Sequence, residues 1–335
     1  MTISAKIIAD SISPAGVRLT TMQLRYPRFI HPEELTHRVI STQPESIIIQ
    51  KIADGLMYDE NLSRNASSSR AIPVNRLIDD IIADTAMPIH WGKNQPGMQA
   101  REEHDARVTL PALEFGELWT FGEMDRVPKD HGQRPMRLTT KDVHPIAAWI
   151  DARDYAIQVA RAFDAAGYHK QIVNRLLEPF SHINVVVTAT EWDNFYELRR
   201  HEDAQPEIHA LADAMYEAQA ASKPKLLQPG EWHLPYITVG EFLDDQMSDD
   251  QRIKCSVARC ARVSYLTHDG LQPLPEKDLE LYDRLVGAVP LHASPAEHQA
   301  TPDDFNPYSE EWMKPHLHGN FVGWVQNRKL LEINR

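Results

Sequence analysis

Two stretches rich in β-branched residues, 18–26 (RLTTMQLRY) and 183–190 (INVVVTAT), are typical of β-strands. Between them, apolar side chains in residues 143–166 recur with a period close to 3.6, which predicts an amphipathic helix. Three further segments have helical patterns: 168–178 ending before Pro179, 190–218 with a break near Pro206, and 274–288. The chain is therefore predicted to combine strands and helices.

The composition limits the classes of function. The formal net charge is −13, which argues against a protein that wraps DNA or RNA, because nucleic-acid affinity comes largely from Lys and Arg. The 14 glycines form neither G-x-G-x-x-G nor a Walker A loop, so a Rossmann-type or P-loop nucleotide site is not expected. Any anionic ligand must then meet a local arginine pocket.

The sequence also bears on location. No apolar run reaches about 18 residues, and the start (MTISAKIIADSISP) lacks the basic-then-apolar pattern of a signal peptide. We therefore expect a cytoplasmic protein without membrane association.

Cysteine and histidine positions predict neither a disulfide framework nor a metal site. Cys255 and Cys260 lie close together without a second pair, and we interpret them as reduced thiols of the core. The pairs His316-x-His318 and His292 with His298 each lack a third ligand at a known spacing, so no metal is predicted.

The densest chemical signal is the segment 61–73, NLSRNASSSRAIP. Serine hydroxyls and loop N–H groups can donate to phosphate oxygens, and arginine adds a bidentate, charge-assisted pair. The segment therefore suits binding of a phosphate or a hydroxyl-bearing ligand. A polar surface loop of the same composition is the alternative.

Two other segments place basic and polar residues together. Residues 36–38 (Thr-His-Arg) follow a strand-like stretch, and residues 192–208 put Asn194 and Arg199 near each other on a predicted helix. The alternatives are an ordinary surface or core pair for the His-Arg dipeptide and a solvated face for the helix.

These segments together resemble the flavin-dependent thymidylate synthase family. The family signature R-H-R-x-x-S-x-N-x-x-S-x-R is similar to residues 36–38 (THR) joined to residues 63–70 (SRNASSSR), and its second half matches in full. A family helix followed by H-A-Q-x-E-I is similar to residues 194–199 with 203–208 (DAQPEI). Residues 175–179 (RLLEP) resemble the family stretch R-x-x-L-P.

The remaining family elements normally precede the signature, whereas here similar segments lie near the C-terminus. Residues 256–265 (SVARCARVSY) resemble the A-R-V-S-F element, and residues 292–298 (HASPAEH) resemble H-x-[TS]-P-x-E-H. This order resembles a circular permutation, which costs little when the old termini lie close together at a surface.

The resemblance implies an α/β (α+β) fold with a mainly antiparallel sheet flanked by helices and permuted connectivity. Residues 1–335 would form a single domain, in which residues 1–220 carry the signature and the nucleotide-binding part. Residues 251–335 would carry the permuted flavin-binding part.

Two departures from the family pattern are visible. Thr36 replaces the leading arginine, which removes a charge that the family places beside flavin and nucleotide. Residues 42–62 interrupt the signature, so Ser41 and Ser63 compete for its first serine position. This insert is consistent with a loop at the rim of the site or with remodelled substrate access.

The resemblance further implies ligands and site residues. FAD would lie between the subunits of a homotetramer, and the matched flavin-side positions are His37, Arg38, Ser264, His292, Ser294 and Glu297, with Asn194 as a weaker candidate. The nucleotide phosphate and sugar would contact Ser68, Ser69, Arg70 and Arg175. Arg199 would contact the pyrimidine, because a guanidinium can donate to a carbonyl and a ring nitrogen. Catalytic roles would fall to His37, Arg38 and Arg199.

In this family NADPH reduces the flavin, 5,10-methylenetetrahydrofolate supplies a methylene group to C5 of the pyrimidine, and hydride from the flavin completes the methyl group. The resemblance thus implies conversion of dUMP to dTMP without an enzyme nucleophile. The alternative is a dUMP or dCMP hydroxymethylase, in which water traps the one-carbon unit, as in a viral enzyme of DNA modification acting in the host cytoplasm. An inactive flavin- or nucleotide-binding protein is a further alternative, and a nucleic-acid-binding module is disfavoured by the net charge.

Overall fold

The computed structural model describes residues 2–32, 62–96, 100–113, 138–244, 247–263, 274–287 and 294–333. These residues form a mixed α/β structure in which antiparallel strand pairs predominate, as expected for an α+β chain. They divide into two compact units: Met1–Met87 with Ala160–Arg335 (unit 1) and Pro88–Val159 (unit 2). The sequence predicts one domain, and unit 2 lies inside its predicted signature and nucleotide-binding part.

The strands, in chain order, are β1 (Ser4–Ile12), β2 (Arg18–Pro27), β3 (Leu62–Ala66), β4 (Val108–Leu113), β5 (Leu138–Val143), β6 (His182–Ala189), β7 (Lys225–Leu226), β8 (Ala300–Pro302), β9 (Phe305–Asn306), β10 (Glu311–Trp312) and β11 (Trp324–Gln326). Unit 1 is built on a five-stranded sheet in the order β3–β6–β2–β1–β7. The three pairs from β3 to β1 are antiparallel, whereas β7 pairs with β1 in parallel.

The α-helices are α1 (Val74–Ala83), α2 (Pro145–Ala165), α3 (Lys170–Val173), α4 (Asp193–Arg199), α5 (Pro206–Ala221), α6 (Val239–Phe242), α7 (Asp249–Arg262), α8 (Pro275–Val286) and α9 (Asn327–Ile333). Short 3₁₀ turns occupy Arg28–Ile30, Ser69–Ala71, Asn174–Phe180, Ser294–Glu297 and Pro315–Leu317.

The two strands predicted from β-branched residues are confirmed as β2 and β6. β6 pairs with β2 on one side and with β3 on the other. Seven of its eight residues are buried, because both faces of the sheet are covered at this strand. Its near-continuous apolar run, Ile183 to Val187 with one asparagine, is the pattern that such a strand requires.

One face of the sheet, which we call the helical face, packs against α4 and α5. Alternate residues of β2 and β6, such as Met22, Leu24, Val185 and Val187, form one apolar core with Phe195 and the buried side of α5. The side chains between them point to the opposite face, which described residues of the segment 233–326 cover. We call this the C-terminal face.

Phe321 and Trp324 belong to the layer over the C-terminal face. They pack with Leu19, Leu227 and Ala300 in a second apolar cluster, and Trp324 is fully buried. Both side chains therefore serve the packing of this layer.

The predicted helices occur with small changes of boundary. The helix predicted over 143–166 corresponds to α2, that over 274–288 to α8, and that over 190–218 to α4 and α5, with the break before Pro206. The prediction for 168–178 is wrong in its end point, because a 3₁₀ turn continues to Phe180 through Pro179. Proline fixes φ near −65°, which a 3₁₀ turn accepts.

A buried ion cluster joins α6, α7 and α8. The Arg259 guanidinium donates to Asp278 (2.8 Å) and to Glu241 (2.5 Å), and Arg262 also contacts Asp278 at 2.8 Å. Burial raises the pKa of Glu241, but the hydrogen bonds from Arg259 and Thr238, together with the Arg259 charge, outweigh that effect and lower the pKa to about 2. Arg259 thus fixes the packing of α7 against its neighbours.

Unit 2 consists of the β4–β5 hairpin, the preceding loop and most of α2. The hairpin is antiparallel with Val108 opposite Val143. Trp91 and Trp149 meet edge to face at 6.1 Å beside a cleft of about 520 Å³. Among the described residues of both units, no helix combines the length and the apolarity that a membrane crossing demands.

Candidate functional site

Strand β3 carries the first part of the predicted signature. Ser63 lies opposite Thr188 of β6, and Asn65 lies opposite Val186. Because side chains alternate along a strand, Ser63 and Asn65 share the C-terminal face. The Ser63 hydroxyl accepts hydrogen bonds there from Asn320 (3.2 Å) and Gln326 (3.3 Å).

Asn65 contacts two segments that are far from it in the chain. Its amide donates to the Cys260 carbonyl (3.3 Å), and its carbonyl oxygen accepts from the Ser294 hydroxyl (3.4 Å). These partners lie 195 and 229 residues away in sequence. The structure therefore brings together described residues of three of the predicted segments: 63–70, 256–265 and 292–298.

Glu297 is buried beside this contact. Its carboxylate pairs with Arg328 of α9, which also contacts Glu332 at 2.8 Å. Its backbone carbonyl accepts from Gln326 (3.0 Å), the side chain that also reaches Ser63. The side-chain amide of Gln326 thus links Glu297 to Ser63.

The serine-rich end of the signature forms the 3₁₀ turn Ser69–Ala71, which begins shortly after β3 ends at Ala66. Asn174 stabilises this turn by donating to the backbone carbonyls of Ser69 (2.7 Å) and Ile72 (2.9 Å). Lys170 adds a bond to the Ala71 carbonyl at 2.8 Å. The turn therefore lies against the 3₁₀ turn that carries Arg175.

A single carboxylate oxygen links two of the predicted substrate ligands. Glu178 Oε1 accepts from the Ser69 hydroxyl at 2.5 Å and from Arg175 Nη1 at 2.8 Å. Ser69 is buried, whereas Arg175 and Arg70 are exposed. Glu178 itself has no counterpart among the predicted site residues.

Arg28 is a further cation of this region that the sequence analysis missed. Its guanidinium donates to the Ser67 carbonyl (3.2 Å) and to the Ser181 hydroxyl (3.3 Å). Burial lowers its pKa, while the Glu178 carboxylate opposes and Arg175 adds to that effect. No pattern in the sequence around Arg28 indicates a site residue, since Arg28 simply follows the end of β2.

Asn194 and Arg199 lie in a different layer. Both belong to α4, whose Phe195 and Tyr196 pack into the core of the helical face. Asn65 belongs to the opposite face, so the sheet lies between this helix and the site around Asn65. The described residues of one chain do not unite Asn194 and Arg199 with that site.

Four predicted site residues lie outside the described residues: His37, Arg38, Ser264 and His292. The same is true of Thr36, Ser41 and nearly all of the 42–62 insert.

A buried row of hydroxyl and imidazole groups crosses the C-terminal face. Its hydrogen bonds run from Ser11 to His233 (2.8 Å), from His233 to Thr21 (2.8 Å), from Thr21 to Thr188 (2.7 Å) and from Thr188 to His298 (2.8 Å). Burial lowers the pKa of both histidines to about 3, so both are neutral at pH 7. The sequence contains no signal for this row, because isolated Ser and Thr are common in strands.

The two cysteines are buried free thiols, as predicted. Burial raises the pKa of Cys255 to about 11 and raises that of Cys260 further. The thiolate form, which a nucleophilic cysteine needs, is therefore disfavoured at both positions.

Within the described residues, one member of the His316-x-His318 pair serves local structure. His318 contacts Asp303 at 2.9 Å in the turn before β11. Across the described ranges, no group of three or more His, Cys, Asp or Glu side chains is arranged to hold a metal ion.

In comparisons with known proteins, no protein-family model and no curated protein matches this chain.

Proposed function

We propose that this chain is a flavin-dependent enzyme of the thymidylate synthase type, which transfers a one-carbon unit from 5,10-methylenetetrahydrofolate to C5 of dUMP and yields dTMP. The observation that carries the proposal is the meeting of Asn65 with Cys260 and Ser294. Three segments that resemble the family, in a permuted order and about 200 residues apart, thereby meet at one strand.

The residues around Asn65 fit a flavin chemically. Ser294 is exposed and the Asn65 amide lies beside it, so hydroxyl and amide groups are available to the polar edge of the ring or to its ribityl chain. Glu297 adds a carboxylate whose position Arg328 fixes. Bound FAD, reduced by NADPH, would supply the hydride that completes the methyl group.

The nucleotide phosphate fits the turn after β3. Arg70 and Arg175 are exposed guanidinium groups that can bind phosphate oxygens in a bidentate manner, and Ser68 and Ser69 add hydroxyls. This local positive charge is what a chain of net charge −13 needs to hold an anionic substrate.

Arg199 and Asn194 enter the proposal through assembly of the chain into an oligomer. Because α4 covers the other face of the sheet, we assign these two residues to the site of a neighbouring subunit in a homotetramer. A site shared between subunits would place the pyrimidine ligand Arg199 opposite the phosphate ligands of its neighbour.

The test begins with the visible spectrum of the purified protein. We expect bound flavin, and we expect dTMP by mass spectrometry after anaerobic incubation with NADPH, methylenetetrahydrofolate and dUMP. A hydroxymethylated dUMP or dCMP would instead establish the hydroxymethylase alternative. Failure to bind flavin under any loading condition would exclude both reactions.

A matched pair of variants tests the phosphate site. Arg70→Ala should weaken dUMP binding by about tenfold or more, because a hydrogen bond to a charged group contributes about 1.5–3 kcal/mol. Arg76→Ala, which removes another exposed arginine six residues later on α1, should leave dUMP binding unchanged. Equal effects of both changes would mean that Arg70 acts only through general charge.

A further inference from the structure

We infer that Glu178 is a built-in competitor for the substrate phosphate: its carboxylate takes the Ser69 hydroxyl and the Arg175 guanidinium that the phosphate must use. The inference rests on the proposed function of Ser69 and Arg175 and adds a residue that sets the affinity of that site. Its basis is that one oxygen, Glu178 Oε1, accepts from both groups, at 2.5 Å and 2.8 Å.

A phosphate oxygen can replace the carboxylate oxygen without leaving a donor unsatisfied. Ser69 is 3% exposed, so its hydroxyl requires an acceptor, and an anionic oxygen of either kind provides one. Arg175 can form the same charge-assisted bond with a carboxylate or with a phosphate. The exchange therefore preserves the hydrogen bonds of both groups.

The Glu178–Arg175 pair is also weak enough to open. The Arg175 side chain is 58% exposed and the pair is an i,i+3 contact, and exposed pairs of this kind contribute little to stability. A ligand carrying two negative charges can thus compete with a carboxylate that carries one.

The serine turn does not depend on Glu178 for its shape. Asn174 holds the carbonyls of Ser69 and Ile72, Lys170 holds that of Ala71, and Arg28 holds that of Ser67. Movement of the Glu178 side chain would leave these backbone contacts in place. The carboxylate is therefore suited to being displaced rather than to supporting the turn.

Competition at the phosphate position also has a consequence for selectivity. A nucleoside without a phosphate cannot take over the two donors, so Glu178 keeps them and the nucleoside gains nothing from them. The phosphate of a nucleoside monophosphate displaces the Glu178 carboxylate and accepts hydrogen bonds from both donors, the Ser69 hydroxyl and the Arg175 guanidinium.

Calorimetric titration of the full-length protein tests the inference with three ligands: dUMP, inorganic phosphate and deoxyuridine. In Glu178→Gln and in Glu178→Ala, dUMP and phosphate should bind about threefold to fivefold more tightly, because a competing ion pair of this strength has been removed. Deoxyuridine binding should not change. Glu217→Gln, which neutralises an exposed glutamate of α5, is the matched control and should behave like the wild type.

A supporting role for Glu178 predicts the reverse result, since its loss would then disorder the site and weaken both anionic ligands. Unchanged or weaker binding of dUMP in both Glu178 variants, with the wild type binding normally, would overturn the inference alone. Failure of the wild type and every variant to bind dUMP or phosphate would overturn the proposed function of the site as well.

Discussion

Thr188 lies at the centre of the buried row on the C-terminal face, and Thr188→Val should destabilise the protein markedly. Its hydroxyl contacts Thr21 Oγ1 at 2.7 Å and His298 Nδ1 at 2.8 Å. Valine has nearly the same shape but offers neither a donor nor an acceptor. Among the described residues, His298 Nε2 has no hydrogen-bond partner, so the variant leaves this buried imidazole with none at either nitrogen.

The expected cost follows from what is left behind. A buried polar group that loses its partner costs about 1–3 kcal/mol, and Thr21 still has its bond to His233. We therefore expect a loss of about 2–3 kcal/mol in the free energy of unfolding.

Urea denaturation, followed by tryptophan fluorescence, measures this change as a lower midpoint at an unchanged slope. Thr190→Val is the matched control, because its hydroxyl is only half-buried and accepts one long bond of 3.4 Å from the Val322 N–H. That change should cost less than about 1 kcal/mol. The double variant Thr188→Val/His298→Leu should recover stability relative to Thr188→Val, because both polar partners are then replaced by apolar ones.

A Thr188→Val protein as stable as the wild type, within about 0.5 kcal/mol, would refute this reasoning. It would mean that the His298 imidazole finds another partner at no cost, and that the hydroxyl row contributes nothing to stability.

Three other predictions concern buried groups of unit 1. Arg259→Ala should lower the free energy of unfolding, measured by urea denaturation, by about 3–5 kcal/mol, because the fully buried Asp278 carboxylate then loses one of its two arginine partners. A loss below about 1 kcal/mol would show that Arg262 alone is enough to stabilise that carboxylate. Acidification from pH 7 to pH 4 should destabilise the protein. In the unfolded chain, His233 and His298 bind protons below about pH 6.5, whereas in the folded protein they stay neutral until about pH 3. In this interval each histidine therefore lowers the free energy of unfolding by up to about 1.4 kcal/mol for every pH unit of acidification. Replacing both histidines with glutamine should flatten the measured pH dependence. Cys260 should react with a thiol reagent only after unfolding, and rapid labelling of the native protein would contradict its burial.

The sequence predicts the strongest elements of the fold because their signals are local. β2 and β6 are rich in β-branched residues, and α2 repeats its apolar positions over six turns. β1 was not predicted: its residues are mostly half-buried, and a bulge between Ile7 and Ala9 breaks the alternation that would mark it. The two- and three-residue strands near the C-terminus are too short to carry any periodicity.

The candidate site, too, is predicted from the sequence only where its signal is local. The serine–arginine segment is visible in the sequence because its residue types are concentrated in one stretch. The contacts of Asn65 with Cys260 and Ser294 are set by the packing of α7 and the turn before β8 on the sheet, and no spacing rule predicts contacts over such separations. Glu178 was overlooked for a related reason, since its importance comes from the Ser69 hydroxyl 109 residues earlier in the chain.

The position of β6 also constrains the order in which this protein folds. β6 lies between β2 and β3, yet about 150 residues separate it from β2 along the chain. Closing a loop of this length has a high entropic cost before any contact repays it, so the sheet should nucleate late and slowly. During synthesis β1 and β2 can form only a hairpin until β6 leaves the ribosome, and the C-terminal face stays uncovered until the last hundred residues follow. A chain released early would expose the strand hydroxyls of that row, those of Ser11, Thr21 and Thr188, to water, and its sheet would present an open edge for aggregation.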